Sequence, residues 1–252
     1  MLLPGLYEDT TMKPSLKRLS ACLLAGTLCF PLLAQAGVKI MGTRFIYPAN
    51  EREIAVRLNN TSARPALVQS WLDKGDPSAQ PGAETLPFVV LPPLVRVEAN
   101  KGQALRIARI GNVPVQDRES VFWLNVLEVP PRAEGSKGRN VMQLAFRSRL
   151  KLFYRPAGLP GNPTEAAKTL NWHATPTGIR VRNDSAYHVS FGKISIKAGG
   201  KQYKVEEPGM VAPRASREIP LSAWRGAAGG QVQVSWLDDF GASRELSYPL
   251  AP

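Results

Sequence analysis

Cysteine is nearly absent from this sequence. The chain has two, Cys22 and Cys29, and both lie in one apolar stretch near its start. Without that stretch no cysteine is left, which excludes a disulfide framework, thiol catalysis and thiolate metal sites. Histidine is as scarce: His173 and His188 are the two, separated by fourteen residues. Two isolated imidazoles without thiolates make a poor zinc set, so no metal is expected. No Gly-x-Ser-x-Gly elbow and no Gly-x4-Gly-Lys phosphate loop occurs. The carboxylates are scattered, and a pair such as Asp238-Asp239 reads as turn residues rather than as acid/base partners. Nothing here has the pattern of an enzyme or calls for a cofactor. Tandem repeats, low-complexity tracts and long stretches of helical period are missing too.

What the sequence does have begins with residues 12–36, MKPSLKRLSACLLAGTLCFPLLAQA. Lys13, Lys17 and Arg18 precede an apolar run, and Ala34-Gln35-Ala36 supplies the small-x-small pattern of a cleavage site. Residues 1–36 therefore read as an export signal, with Met12 an alternative start because Glu8 and Asp9 do not suit its basic head. A membrane anchor is the competing reading, but the run is short and broken by Gly26 and Pro31. Leu19-Ser20-Ala21-Cys22 also fits a lipoprotein box, yet no apolar run precedes it. The first 36 residues carry three basic and two acidic side chains of a chain total of 32 and 20, so residues 37–252 keep a net charge of +11. Such a charge favours anionic partners; export argues against nucleic acid.

Short apolar or alternating runs recur after the signal: Val38–Ile40, Phe45–Tyr47, Ile54–Leu58, Leu67–Leu72, Leu105–Ile110, Val121–Val129 and Val141–Phe153. Clusters such as Asn59-Asn60-Thr61-Ser62 and Gly135-Ser136-Lys137-Gly138 separate them. The asparagines 59 and 60 begin N-x-[ST] sequons but read as plain turn residues. The spacing predicts antiparallel sandwiches. Pro156-Ala-Gly-Leu-Pro160-Gly-Asn-Pro163 marks a boundary, and strand signals resume at Gly178–Val181, Tyr187–Ile196, Gln202–Val205 and Val232–Trp236. Two all-β domains follow, about 37–156 and 160–252. In the segment 141–156, VMQLAFRSRLKLFYRP, strand parity puts Met142, Leu144, Phe146, Ser148 and Leu150 on one face. Gln143, Ala145, Arg147, Arg149 and Lys151 fall on the other. Taken alone, this reads as a half-buried strand with a solvated basic face.

Residues 117–131, DRESVFWLNVLEVPP, with Asn140-Val-Met-Gln143 and Lys151-Leu-Phe-Tyr-Arg-Pro156, carry a more specific signal. They resemble the periplasmic chaperones of the chaperone–usher pilus pathway. Gly42-Thr-Arg44-Phe-Ile-Tyr-Pro48, Leu91-Pro-Pro93, Leu105-Arg-Ile107, Asn183–Val189 and Leu237-Asp-Asp-Phe-Gly241 are similar to other parts of that family. The resemblance spans nearly all of residues 37–252. It implies two immunoglobulin-like β-sandwiches in a boomerang arrangement. It also implies a donor strand at about 141–152, lent to pilus subunits (pilins) whose own fold lacks a strand, before delivery to an outer-membrane usher. Met142, Leu144 and Phe146 would enter the subunit's groove, and Arg44 and Lys151 would anchor its C-terminal carboxylate. Glu119, Arg155 and Asp239 would form an ionic cluster between the domains.

The sequence departs from the family in places. A disulfide near the end of the second domain, common among relatives, cannot form here. The loop 132–139 has eight residues, which resembles the short-loop subclass that usually serves rod-like pili. Phe146 is bulkier than the aliphatic residue expected at its position, which implies a roomier pocket on the subunit. Arg147 and Arg149 receive no role beyond a solvated face. A secreted adhesin-like or surface-binding sandwich is the alternative, and it would not need Arg44 and Lys151 together with the 117–131 run.

Overall fold

The computed structural model describes residues 37–132, 142–224, 226 and 229–252. The proposed export signal and most of the 132–139 loop lie outside the described residues. Nine strands come first: β1 (Val38–Ile40), β2 (Arg44–Pro48), β3 (Glu53–Asn60), β4 (Ala66–Asp73), β5 (Phe88–Leu91), β6 (Leu94–Val97), β7 (Gly102–Arg109), β8 (Ser120–Val129) and β9 (Phe146–Arg155). They form two sheets, β1-β3-β7-β5 and β2-β9-β8-β4-β6. The alternation read from the sequence is what lets these strands face each other. In β3 the buried positions are Val56, Leu58 and Asn60, every second residue. Leu105, Ile107, Leu124, Leu152, Tyr47 and Tyr154 meet them in one core, with Phe88 packed edge to face on Phe122 and at a tilt on Tyr47 and Tyr154.

After β9 a short helix, α1 (Pro163–Lys168), opens the second sandwich. Asn162 caps it, accepting from the Glu165 amide at 3.0 Å, and Pro163 occupies the first turn where a missing N–H does no harm. The sequence reading placed a proline-rich linker here and no helix. Six residues are too few to show a helical period, and the helix is held by burying Ala166 and Ala167 in the second core rather than by propensity. Strands β10 (Asn171–Thr175), β11 (Gly178–Asn183), β12 (Val189–Ala198), β13 (Lys201–Lys204), β14 (Met210–Val211), β15 (Ala215–Pro220), β16 (Gln231–Leu237) and β17 (Ser243–Pro249) follow. They make a three-stranded sheet, β10-β11-β15, and a sheet ordered β13-β12-β16-β17 with β14 on β12. Trp172, Ile194, Ile196, Val232 and Val234 fill the space between.

The two sandwiches share one local device. Asn60, at the end of β3, is fully buried; its Oδ1 accepts from the amide and hydroxyl of Ser62 and its Nδ2 donates to the carbonyls of Arg64 and Val97. Asn183, at the end of β11, repeats this with Ser185, Tyr187 and Ala212. Asn60 is thus more than the turn residue expected: it satisfies carbonyls that would otherwise be stranded where the strand ends.

One expectation needs correction. Alternation predicts a strand from residue 141, and the donor strand was placed at about 141–152. Pairing in fact begins at Phe146, opposite Glu128, and residues 142–145 carry no strand pairing. The neighbour explains the limit. β8 stops at Val129 because Pro130 and Pro131 follow, and proline has no N–H to continue a ladder. Gln143 Nε2 donates to the Pro130 carbonyl there, at 2.6 Å.

Candidate functional site

The site is built on β9 and its neighbours. β2 runs parallel to β9 over its second half, pairing Arg44 with Lys151 and Pro48 with Arg155. β8 runs antiparallel to β9 over all but its last residue, from Glu128↔Phe146 to Ser120↔Tyr154. Parity then decides which side chains share a face. Leu150, Leu152 and Tyr154 point into the core. Lys151, Phe153 and Arg155 point the other way, beside Arg44 and towards the second sandwich.

Arg44 and Lys151 are brought together by this register. Arg44 Nη1 donates to the carbonyl of Leu237 at 2.9 Å, while its buried Nε has no hydrogen-bond partner. Lys151 Nζ donates to Ser190 Oγ at 3.3 Å. Neither cation has an ion pair among the described residues. Burial lowers the Arg44 guanidinium from its ordinary value, only partly offset by Asp239, Asp238 and Glu119. Lys151 is pushed down to about 8, first by burial and then by the charges of Arg44 and Arg217. Two part-buried cations side by side, one with a donor to spare, make a site that favours an anion. Phe153 and Trp123 wall it, with Lys151 Nζ 5.6 Å from the Trp123 ring centre and the Arg44 guanidinium 5.7 Å from that of Phe153.

The three residues proposed as an ionic cluster meet. Arg155 Nε donates to Glu119 Oε1 at 2.7 Å, and Nη1 and Nη2 donate to Asp239 at 2.7 and 2.9 Å. Burial lowers the guanidinium; the carboxylates of Asp239 and Glu119 more than offset this and hold it above its ordinary value. Glu119 Oε2 also accepts from the His188 amide at 2.8 Å and lies 3.3 Å from His188 Nδ1. His188, which looked isolated in the sequence, is thus packed between Glu119 and Phe153. The Glu119 amide donates to the Ala186 carbonyl at 2.9 Å, and Asp117 pairs with Arg214. These contacts tie the first sandwich to the second beside the cation pair.

Met142, Leu144 and Phe146 lie apart from this cluster, at the other end of the segment, and are 87%, 57% and 64% exposed. Three large apolar side chains left in water close together in the chain mark a binding surface. Beside them Phe146–Leu150 has an outer edge with no strand on it among the described residues, because β2 reaches only as far as Lys151. An open edge next to an apolar row is ready to accept another strand.

Sequence reasoning missed the surroundings of Arg147 and Arg149. Arg147 Nε and Nη2 both donate to Asn125 Oδ1, at 2.9 and 2.7 Å, and Nη1 donates to the Pro77 carbonyl at 2.8 Å. Arg149 Nη2 and Nε donate to Asp73, at 2.5 and 3.3 Å. Asp73 and Asn125 are both 0% exposed. Burial raises the Asp73 carboxyl, but hydrogen bonds from Arg149, Asn125 and the Gly75 amide prevail and hold it below its ordinary value. The partners sit on β4 and β8, far from β9 in sequence, and only the alternation of Trp71, Asp73 and of Trp123, Asn125 hinted that these residues share a face.

The comparisons agree with this architecture. Residues 37–160 match the family "Pili and flagellar-assembly chaperone, PapD N-terminal domain" and residues 165–248 match "Pili assembly chaperone PapD, C-terminal domain". The probable fimbrial chaperone YadV of Escherichia coli K12 is 40% identical over 237 residues, covering 91% of this chain and 96% of that protein. The crystal structure of the YadV chaperone superposes with a TM-score of 0.74 at 39% identity, covering 85% of this chain and 100% of that one. The SafB chaperone of Salmonella enterica, solved in complex with the SafA pilin, gives a TM-score of 0.73 at 29% identity, covering 85% of this chain and 96% of that one. With both family domains matched in order and the fold shared along its length, the chain belongs to the PapD family of pili assembly chaperones.

Proposed function

We propose that this chain works in the periplasm as a chaperone that captures pilus subunits by lending them β9, and hands them to an outer-membrane usher. It acts by binding, not by catalysis. The observation that carries the reading is the pairing of an open strand edge with an anion site on the same strand. The subunit's C-terminal carboxylate is bound by Arg44 and Lys151, with the free Nε of Arg44 and the ammonium of Lys151 as donors. Charge-assisted hydrogen bonds of this kind contribute about 1.5–3 kcal/mol each. The anchor fixes register, since a slip of one residue would turn the wrong face of the strand to the subunit. From that anchor the subunit extends along Phe146–Leu150 and onward over residues 142–145, which order as strand only when the partner supplies the missing hydrogen bonds. Met142, Leu144 and Phe146 enter its open core, each worth about 1.5–3 kcal/mol when fully buried. Glu119, Arg155 and Asp239 hold the two domains around the anchor. A solved pilin complex of the related SafB chaperone supports subunits as the partner class.

The test is to co-express the chain with its candidate pilin and measure soluble pilin in the periplasm. Lys151→Ala is expected to abolish soluble pilin while the chaperone itself stays folded, and Leu144→Glu to weaken co-purification. Unchanged pilin with Lys151→Ala would sink the carboxylate anchor. Undiminished co-purification with Leu144→Glu would remove the donor-strand assignment.

A further inference from the structure

We propose that Arg147 and Arg149 are positioning residues that clip the lent half of β9 flat against its own sheet, so that its free edge meets the subunit already extended. The inference rests on the donor-strand reading above and adds to it the means by which an edge strand is kept ordered before a partner arrives.

Among the described residues, Phe146–Leu150 has strand pairing from β8 alone, and Phe146 and Ser148 on its core-side row are exposed. A strand end held on one side, with an apolar row in water, should fray. What opposes fraying lies on the other face. The two arginines reach across β8 to β4 through Asn125 and Asp73, whose side chains are themselves joined, Asn125 Nδ2 donating to Asp73 Oδ2 at 2.7 Å. Each guanidinium also covers an indole. Arg147 lies 5.0 Å from the Trp71 ring centre and Arg149 4.5 Å from that of Trp123. The chain of contacts Arg147–Asn125–Asp73–Arg149 thus spans three strands. Its inner members are buried: loss of Arg147 strands the Asn125 Oδ1 acceptor, and loss of Arg149 leaves the Asp73 carboxylate without its cation, with only Asn125 and the Gly75 amide still donating to it. A merely solvated row of arginines would not need a buried carboxylate and a buried amide beneath it. Ordering the donor before the encounter lowers the entropy lost on binding, and the planar fork makes arginine rather than lysine the residue suited to it.

Hydrogen exchange of the free, full chain tests this without any subunit. In Arg147→Leu, Arg149→Leu and the double variant, amides of residues 146–150 are expected to exchange faster, by about ten-fold or more in the double variant. Amides of Leu152–Arg155, β3, β7 and the second sandwich should stay as in the wild type. Unchanged exchange at 146–150 would overturn the proposal. So would acceleration spread over the whole first sandwich, which is what a purely structural role predicts. A second arm measures the rate of capture of a denatured pilus subunit, lacking its own N-terminal extension, on dilution into the chaperone. Arg149→Leu and Asp73→Asn change the charge in opposite directions, yet both should slow capture, and Arg149→Lys should not restore it. Faster capture with Asp73→Asn would mean that charge alone acts, and the proposal would fall. Lys151→Ala separates the two readings: it should abolish capture while leaving exchange at 146–150 unaltered. Normal capture by Lys151→Ala would remove the carboxylate anchor and leave the positioning role to be judged on exchange, where loss of protection at 146–150 in that variant would overturn it.

Discussion

In β9, Lys151–Tyr154 has β2 on one side and β8 on the other, whereas Phe146–Leu150 has, among the described residues, β8 alone. One alternation runs through both halves. Its inward row is Leu152 and Tyr154 in the first case, with buried Leu150 at the join, and Phe146, followed beyond the strand by Leu144 and Met142, in the second. The former row fills the chaperone's own core; the latter stands 57–87% exposed. The difference teaches that a lent strand is not a special kind of strand. It is a core strand that outruns its own sandwich, because β8 is stopped by Pro130 and Pro131 and β2 begins only at Arg44. The outward row changes in the same way. Arg155 and Lys151 face the second domain, while Arg149 and Arg147 are tied back to Asp73 and Asn125 on their own sheet.

The largest effect that would break this contrast is expected at the end of the doubly held half. Arg155→Met leaves Glu119 buried without its cation, and should destabilise the chain by about 3–5 kcal/mol in urea unfolding. A loss within about 0.5 kcal/mol would show that the cluster is solvated and does not brace the domains. Next comes a matched pair along the shared row. Leu152→Ala should lose about 2–5 kcal/mol of stability, while Phe146→Ala should stay within about 0.5 kcal/mol. Comparable losses would mean that Phe146 is already part of the chaperone's core.

The smallest effect is a pH dependence at the junction of the halves. Lys151 in the free chain is held at about 8; a bound carboxylate raises it. Above that value complex formation must take up a proton, so affinity is full at lower pH and falls as pH rises, by at most about ten-fold per pH unit. Subunit Kd measured between about pH 6.5 and 9.5 checks this, with Lys151→Arg expected to remove the fall because arginine keeps its proton. A flat wild-type profile would show that Lys151 does not carry the anion.

Much of this was legible in the residues. The 117–131 run and the Lys151–Pro156 segment carry family resemblance, and they fixed attention on Arg44, Lys151, Glu119, Arg155 and Asp239 before any contact was known. Strand parity separated Leu150 and Leu152 from Arg149 and Lys151 as to face. What stayed hidden has physical reasons. The start of β9 depended on where β8 runs out of N–H donors, a property of a neighbour. The helix α1 was too short to have a period. Arg147 and Arg149 looked solvated because their partners lie 22 and 76 positions away. His188 looked idle because Glu119 reaches it across the domain boundary.

By itself, the sequence determined the alternation, the proline stops, the lack of cysteine after residue 36 and the chemistry of each row, since these are read along the chain. Only the tertiary structure decided which cations are stranded without a carboxylate and which are clipped to one. That depends on the register of β2, β4 and β8 against β9, and register is set by cores that no local stretch of residues contains.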